Sequence, residues 1–308
     1  MSAAAGTPDI LRRIVARRRE RLAEHRALHS SEAAEADMEL ARVEAEAATP
    51  TLTPHGNRFL AALSRRGGAG AGERWPGPPG PLAAALGAAP LAPLPIIAEV
   101  KMGSPRLGAL AGRVDPLRQA RIYADNGAAA LSVVVEPDFF HGGYALLADC
   151  AAASGLPAIA KDFVVDPLQL LWARAAGAAA VLLIAALHPP DELARYARLA
   201  RALGLVPLVE THDAADLARL GAEPWELVGV NNRDLRTFHV DLERSIALLP
   251  SLPPDAIKVA ESGIRDALDV ALLADSGFDA LLIGETLLLA ADPAAALRAL
   301  LATVDADA

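Results

Sequence analysis

From Leu94 onward the apolar and polar positions follow a fixed rhythm. A short apolar run closes on a polar residue, a loop follows, then an Ala/Leu-rich stretch of helical spacing, then a glycine and the next apolar run. The unit occurs eight times: PIIAEVK to Lys101, AALSVVVE to Glu136, PAIAK to Lys161, AAVLLI to Ile184, VPLVE to Glu210, LVGVN to Asn231, IKVAE to Glu261 and ALLIG to Gly284. Successive run ends lie roughly 20 to 35 residues apart, the length of one strand plus one crossover helix in a parallel sheet. Continuous apolar runs such as AAVLLI fit strands buried on both faces.

Local chemistry supports the helices between the runs. Asp115-Pro116, Asp166-Pro167 and Asp292-Pro293 each set an N-cap acceptor before a proline suited to the first helical position. Gly127, Gly177 and Gly277 fall where a left-handed cap would feed the next strand. Eight units predict an α/β protein, a closed (β/α)8 barrel over residues 95–304. The absence of a GxGxxG or P-loop pattern after any run counts against an open nucleotide-binding sheet.

The first 94 residues lack this rhythm and predict a helical extension. In residues 9–28, Ile10, Leu11, Ile14, Val15 and Leu22 recur at helical spacing among seven arginines. That pattern predicts an amphipathic helix docked on something larger, its basic face solvated. Glu32 to Glu46 is acidic and Ala-rich and is open between a second helix and an irregular arm. Residues 67–81, GGAGAGERWPGPPGP, are too rich in Gly and Pro for a regular element and predict a flexible insertion.

The barrel reading makes the run ends informative, because active sites in this fold lie at the C-terminal ends of the strands. Glu99 and Lys101, Lys161, Glu210, Asn231, and Glu261 with Ser262 occupy those ends. Two lysines and three glutamates would converge on one mouth. Alternation puts Glu99 and Lys101 on the same side of their strand. Packed opposite charges in a partly buried mouth are typical of general acids and bases. Ser262-Gly263 and Gly284-Glu285 follow the seventh and eighth runs, where barrels commonly bind phosphate through free backbone N–H groups.

Charge and composition narrow the partners. The 308 residues carry 29 basic and 38 acidic side chains, net −9, which disfavours a nucleic-acid partner. No apolar run approaches the roughly 20 residues of a membrane helix, and the arginines near the N-terminus break any signal-peptide core. The single cysteine, Cys150, excludes an internal disulfide and fits a reducing cytoplasm. The seven histidines show no i, i+4 pair on a catalytic helix and no cluster at the run ends, so no metal site and no cofactor is expected. No GxSxG elbow occurs. Metal-free acid/base chemistry is the reading.

The segments IIAEVKMGSP, EPDFFHGG, AKDFVVDPLQLLWARAAGA, LVETHD, VGVNNRDLRTF, ESGI and IGETLL, in this order and spacing, resemble the indole-3-glycerol phosphate synthase family. ILRRIVARRRER and RFLAAL resemble that family's helical extension beside the barrel mouth. The resemblance implies ring closure of 1-(2-carboxyphenylamino)-1-deoxyribulose 5-phosphate, with loss of carbon dioxide and water. It implies Lys161 as the acid at the substrate carbonyl, Lys101 as phosphate contact and acid of the dehydration, held by Glu99, and Glu210 as the residue taking and returning protons. Asn231 would orient the intermediate, Arg233 would lie near the anthranilate carboxylate, and Glu261 and Ser262 would line the site. Ser104, Pro105 and Phe140 would bind substrate, the last two as an apolar wall, and Gly263, Gly284 and Glu285 would hold the phosphate. Ring closure needs an acid at the carbonyl, a base for the ring proton and a dry, shaped pocket.

The family's first loop reads K-R-x-S-P-S-x-G, whereas Met102 and Arg106 stand at its second and sixth positions here. Ala160 and Val135 replace a usual Arg and Thr. These departures motivate an alternative, a paralogue acting on a substituted anthranilate derivative; a non-catalytic phosphate-binding barrel is the other. The expected partner is a phosphorylated small molecule, and the expected state is a monomer or weak homodimer.

Overall fold

The computed structural model describes residues 9–46, 54–64, 94–105, 108–110, 114–234 and 239–302. The Gly/Pro-rich stretch 67–81 and Arg106 lie outside the described residues. Eight strands close into one parallel barrel: β1 (Ile96–Val100), β2 (Ala130–Val134), β3 (Ala158–Lys161), β4 (Ala180–Ile184), β5 (Val206–Thr211), β6 (Leu227–Asn231), β7 (Ile257–Glu261) and β8 (Ala280–Ile283). Each pairs with the next in sequence, and β8 returns to β1 through Ala98 opposite Ile283. All eight strands coincide with the apolar runs.

Period-two alternation divides the strand residues between two cores. Ile97, Ile159, Leu208, Leu227, Val259 and Leu282 pack inside the barrel, while their neighbours Ile96, Ala98, Ala160, Val209, Val228, Ala260 and Leu281 pack against the surrounding helices. Two positions further along the inward row stand Glu99, Lys161, Glu210, Gly229, Glu261 and Gly284. Strand parity therefore aims the charged residues at the barrel axis, one layer above an apolar plug.

Three outer helices begin or end on residues that the sequence marks, whereas Pro167 rather than Asp166 stands at the cap of the helix that starts at Leu168. Asp115 accepts hydrogen bonds from the N–H groups of Leu117 and Arg118, each at 3.0 Å, at the start of α4 (Pro116–Asp125). Asp292 likewise caps α12 (Pro293–Leu301). Gly277 closes α10 (Ala267–Ser276) at φ +108, the left-handed region that glycine occupies without strain. The remaining outer helices are α5 (Tyr144–Ser154), α6 (Leu168–Ala175), α7 (Pro190–Ala202), α8 (Ala214–Leu217), α9 (Leu242–Leu248) and α11 (Glu285–Leu289).

The N-terminal segment spans the barrel from end to end. Helix α1 (Asp9–Leu28) lies at the mouth, and α2 (Ser30–Glu46) packs along α6 and α7, which resolves the acidic stretch as a helix. Helix α3 (Pro54–Leu63) closes the opposite end. Its Phe59 and Leu63 join the inner apolar cluster, and a Cβ on Gly56 would stand 3.1 Å from the carbonyl oxygen of Gly204, ahead of β5. Thus RFLAAL does not sit beside the mouth as the resemblance implies; its two large apolar residues plug the barrel floor.

The basic face of α1 is not wholly solvated either. Arg18 is buried, donating from Nε to Asp162 Oδ1 at 3.1 Å and from its NH2 group to Asp162 Oδ2 at 2.5 Å. Asp162 also accepts from the Tyr144 hydroxyl at 2.7 Å and from Gln169 Nε2 at 2.8 Å. A carboxylate with that many donors has its lone pairs satisfied, the condition under which a buried ion pair is tolerated.

Candidate active site

A cavity of about 650 Å³ opens at the C-terminal end of the barrel. Of the residues expected at the site, Glu99, Lys101, Ser104, Pro105, Phe140, Lys161, Glu210, Asn231, Arg233, Ser262, Gly263, Gly284 and Glu285 line it. Glu261 is the exception. It is fully buried and does not reach the cavity, since Lys161 lies across it with Nζ 2.9 Å from Glu261 Oε2.

Lys161 is the hub of the charge cluster. Its ammonium is also 3.6 Å from Glu210 Oε2 and 3.9 Å from Glu99 Oε2, while Lys101 Nζ donates to Glu99 Oε1 at 2.8 Å. Burial alone would lower the Lys161 pKa, but Glu261, Glu210 and Glu99 together outweigh it and raise it, so the ammonium is the resident form. For Glu99 burial acts upward, and Lys101, Lys161, the Lys101 hydrogen bond and Arg233 overcome it, leaving the pKa below the usual glutamate value.

Two ammonium groups face three carboxylates, and the imbalance falls on Glu261. Burial first, with Glu210 adding and Lys161 opposing, pushes its pKa up to about 7. The Glu261 Oε1 atom is buried without a hydrogen-bond partner. Near neutral pH Glu261 therefore binds a proton that an ordinary glutamate would have lost.

Two glycines make this packing possible. A Cβ on Gly229 would collide with Glu261 Oε1, and one on Gly284 would collide with Glu99 Oε1. Gly284 is thus required by a glutamate behind it, a reason independent of any phosphate. In the loop after β7, Ser262 (φ 65) and Gly263 (φ +80) are consecutive left-handed residues, and a side chain on Gly263 would run into Val240. Asn232 Nδ2 pins the loop by donating to the Ser262 carbonyl at 2.9 Å.

The aromatic wall rests on a residue that the sequence marked only as a strand end. Glu136 is fully buried, and its carboxylate accepts the N–H groups of Asp138, Phe139 and Phe140 at 2.9, 2.7 and 3.0 Å. That clasp turns Phe140 toward Phe163, with ring centroids 5.9 Å apart. Phe163, with Ile10, Leu11 and Ile14 of α1 and Leu182 and Ile184 of β4, completes the apolar part of the lining, in which Ile184 is the register partner of Glu210. Ordinary apolar periodicity gave these residues no distinguishing signal.

Arg233 and Asn231 are mutually positioned: Asn231 Oδ1 accepts the Arg233 N–H at 3.0 Å, and the Arg233 guanidinium lies 3.2 Å from Glu285 Oε2. The Glu285 carboxylate serves Arg233, and a carboxylate would repel a phosphate. Met102 does not line the cavity. Among the described residues no set of three His, Cys, Asp or Glu side chains is arranged to hold a metal ion, and no helix is long and apolar enough to cross a membrane.

A closed parallel barrel with lysines and glutamates converging at its C-terminal mouth defines a (β/α)8 barrel with an acid/base pocket. A family model described as indole-3-glycerol phosphate synthase matches residues 76–300, beginning after α3. The indole-3-glycerol phosphate synthase of Rhodopirellula baltica is 46% identical over 208 residues, covering 68% of this chain and 80% of that protein. The one from Chlorobium phaeovibrioides is 47% identical over 192 residues, covering 62% and 74%, and the one from Variovorax paradoxus 45% over 209 residues, covering 67% and 79%. The chain belongs to the indole-3-glycerol phosphate synthase family. Among solved structures, 3-hexulose-6-phosphate synthase from Salmonella typhimurium shares the fold alone, with a TM-score of 0.51 at 15% identity over 68% of this chain and 97% of that one.

Proposed function

We propose that this protein is a carbon–carbon lyase of tryptophan biosynthesis that closes the indole ring of 1-(2-carboxyphenylamino)-1-deoxyribulose 5-phosphate, releasing carbon dioxide and water. The observation that carries the reading is the Lys161 ammonium, held by three glutamates on the floor of a cavity that apolar side chains also line.

The residues supply an acid for each oxygen that must be neutralised. The ring carbon bearing the carboxylate attacks the substrate carbonyl, and the carbonyl oxygen takes a proton from Lys161 as the carbon–carbon bond forms. The bond to the carboxylate then breaks, and its electron pair restores the aromatic ring. Because the attacking carbon bears no hydrogen, there is no ring proton to remove, and the base acts later than the sequence reading placed it. In the dehydration the hydroxyl leaves as water on a proton from Lys101, and Glu210 takes the proton of the neighbouring carbon as the ring double bond forms. Glu261 does not meet substrate in this scheme; it holds Lys161.

The anionic groups of the substrate find the remaining partners. Lys101 and the Ser262-Gly263 and Gly284 turns take the phosphate, Arg233 with Asn231 takes the carboxylate end, and Phe140, Phe163 and Pro105 flank the aromatic ring. A dry wall of this kind holds the reacting carbons together and strengthens the fields of the buried lysines. The protein would act in the cytoplasm, as a monomer or weak homodimer, on this small molecule. The test is ultraviolet detection of indole formation from the purified substrate. Turnover is the expected result, and bound substrate without product at high enzyme concentration would replace the lyase with a phosphate-binding barrel.

A further inference from the structure

His212 lies two residues after Glu210 and plays no part in the scheme above. It sits behind the cavity rather than on its surface, and its side chain is only 11% exposed. Both ring nitrogens face carboxylates: Nδ1 is 3.3 Å from Asp216 Oδ2 and Nε2 is 3.3 Å from Glu210 Oε1. The backbone N–H of His212 also donates to Asp216 Oδ2, at 3.0 Å, so Asp216 fixes the residue at two points. Asp216 is itself held, its N–H donating to the Asp213 carboxylate at 3.0 Å and Arg219 Nε standing 3.9 Å from its other oxygen.

A neutral imidazole carries one N–H, and Asp216 takes it at Nδ1. Nε2 is then a bare lone pair 3.3 Å from a carboxylate oxygen, buried and with no hydrogen-bond partner. Two facing lone pairs in a low-dielectric interior repel, and one additional proton removes both defects. The other Glu210 oxygen, Oε2, lies 3.6 Å from Lys161 Nζ, so the carboxylate has a charged neighbour on each side.

We infer that Asp216, His212 and Glu210 form a line behind the active site in which His212 is the positioning residue that orients the Glu210 carboxylate and shares its proton. The charged groups facing the ring are Glu210 from β5, Asp216 from α8 and Glu261 from β7, with Arg219 beyond Asp216. Burial opposes a charged ring, but the Asp216 hydrogen bond and the carboxylates exceed it, so the His212 pKa is raised. A carboxylate so arranged stays oriented for proton transfer on the cavity side while the imidazolium behind it stabilises its negative charge. The base function of Glu210 rests on the reaction proposed above; the shared proton does not.

Nuclear magnetic resonance of the ring nitrogens across a pH series of the full-length free protein tests the proton directly. His212 is expected to stay doubly protonated above the pH at which an ordinary imidazole loses its second proton. Glu210→Gln should lower that midpoint by about one pH unit or more, a roughly tenfold loss of proton affinity. A ring already neutral at pH 7, or a midpoint that Glu210→Gln leaves in place, overturns the inference. In turnover, His212→Asn should lower kcat about tenfold with KM within about twofold, and move the acid limb of kcat to higher pH because a cation beside the base is gone. An unchanged pH profile in a folded His212→Asn variant also overturns it. If the wild type forms no indole, the proposed reaction falls, and the nitrogen titration still decides the proton-sharing line.

Discussion

Arg18 and Asp162, 144 residues apart in sequence, meet as a forked and buried ion pair that fastens α1 to the residue following Lys161. The pair joins the mouth helix to the strand end that carries the proposed acid. Removing Arg18 leaves a buried carboxylate whose remaining partners, Tyr144 and Gln169, are neutral. Arg18→Met is expected to cost about 3–5 kcal/mol of stability in urea unfolding, and Arg18→Lys should recover only part of it because an ammonium cannot fork onto both oxygens. A loss below about 1 kcal/mol would place the pair among surface ion pairs.

Helix α1 also contributes Leu11 and Ile14 to the apolar side of the cavity. Deleting residues 1–46, which leaves the floor plug α3 intact, should raise KM for the substrate more than it lowers kcat. Steady-state kinetics on the shortened chain check this, and an unchanged KM would contradict it.

Glycine at 284 is demanded by Glu99. Gly284→Ala should displace the Glu99 carboxylate from Lys101, cost about 1–3 kcal/mol through overpacking, and reduce kcat/KM. Thermal unfolding paired with kinetics reads both effects. If Gly284 serves phosphate alone, KM changes while the melting temperature does not.

Glu261 has a folded pKa of about 7, above its ordinary value of 4.5. The folded state therefore binds more protons than the unfolded one between those values, and stability falls as pH rises through that window. Above pH 7 both states are ionised and the cost is fully present. Glu261→Gln should flatten the slope between about pH 5 and 7 and stabilise the protein at pH 8 relative to wild type, by on the order of 1–3 kcal/mol. Equal slopes in the two proteins would mean the buried proton sits elsewhere in the cluster.

The barrel and most of its mouth were legible because strand parity is a strong local signal: once Ile97 or Leu208 faces inward, Glu99 and Glu210 must too. Depth along the axis was not legible. Glu261 reads like the other strand-end glutamates, yet Lys161 covers it, a consequence of the room that Gly229 leaves on the neighbouring strand. Arg18 looked like six other arginines of α1 because its partner is remote in sequence. Phe59 and Leu63 of α3 have the periodicity of any docked helix, so sequence spacing could not say which end of the barrel they fill. His212 carries no sequence signal of its own, because its partners are carboxylates rather than a second histidine.

In the proposed reaction Lys161 delivers the proton that lets the ring close. Single-turnover measurement of indole absorbance with wild type and Lys161→Met, under saturating enzyme, tests it without interference from product release. A single exponential rise is expected in the wild type and a rate at least roughly 10²–10⁴-fold slower in the variant, with unchanged circular dichroism and retained substrate binding. Near-wild-type indole formation by folded Lys161→Met would contradict it.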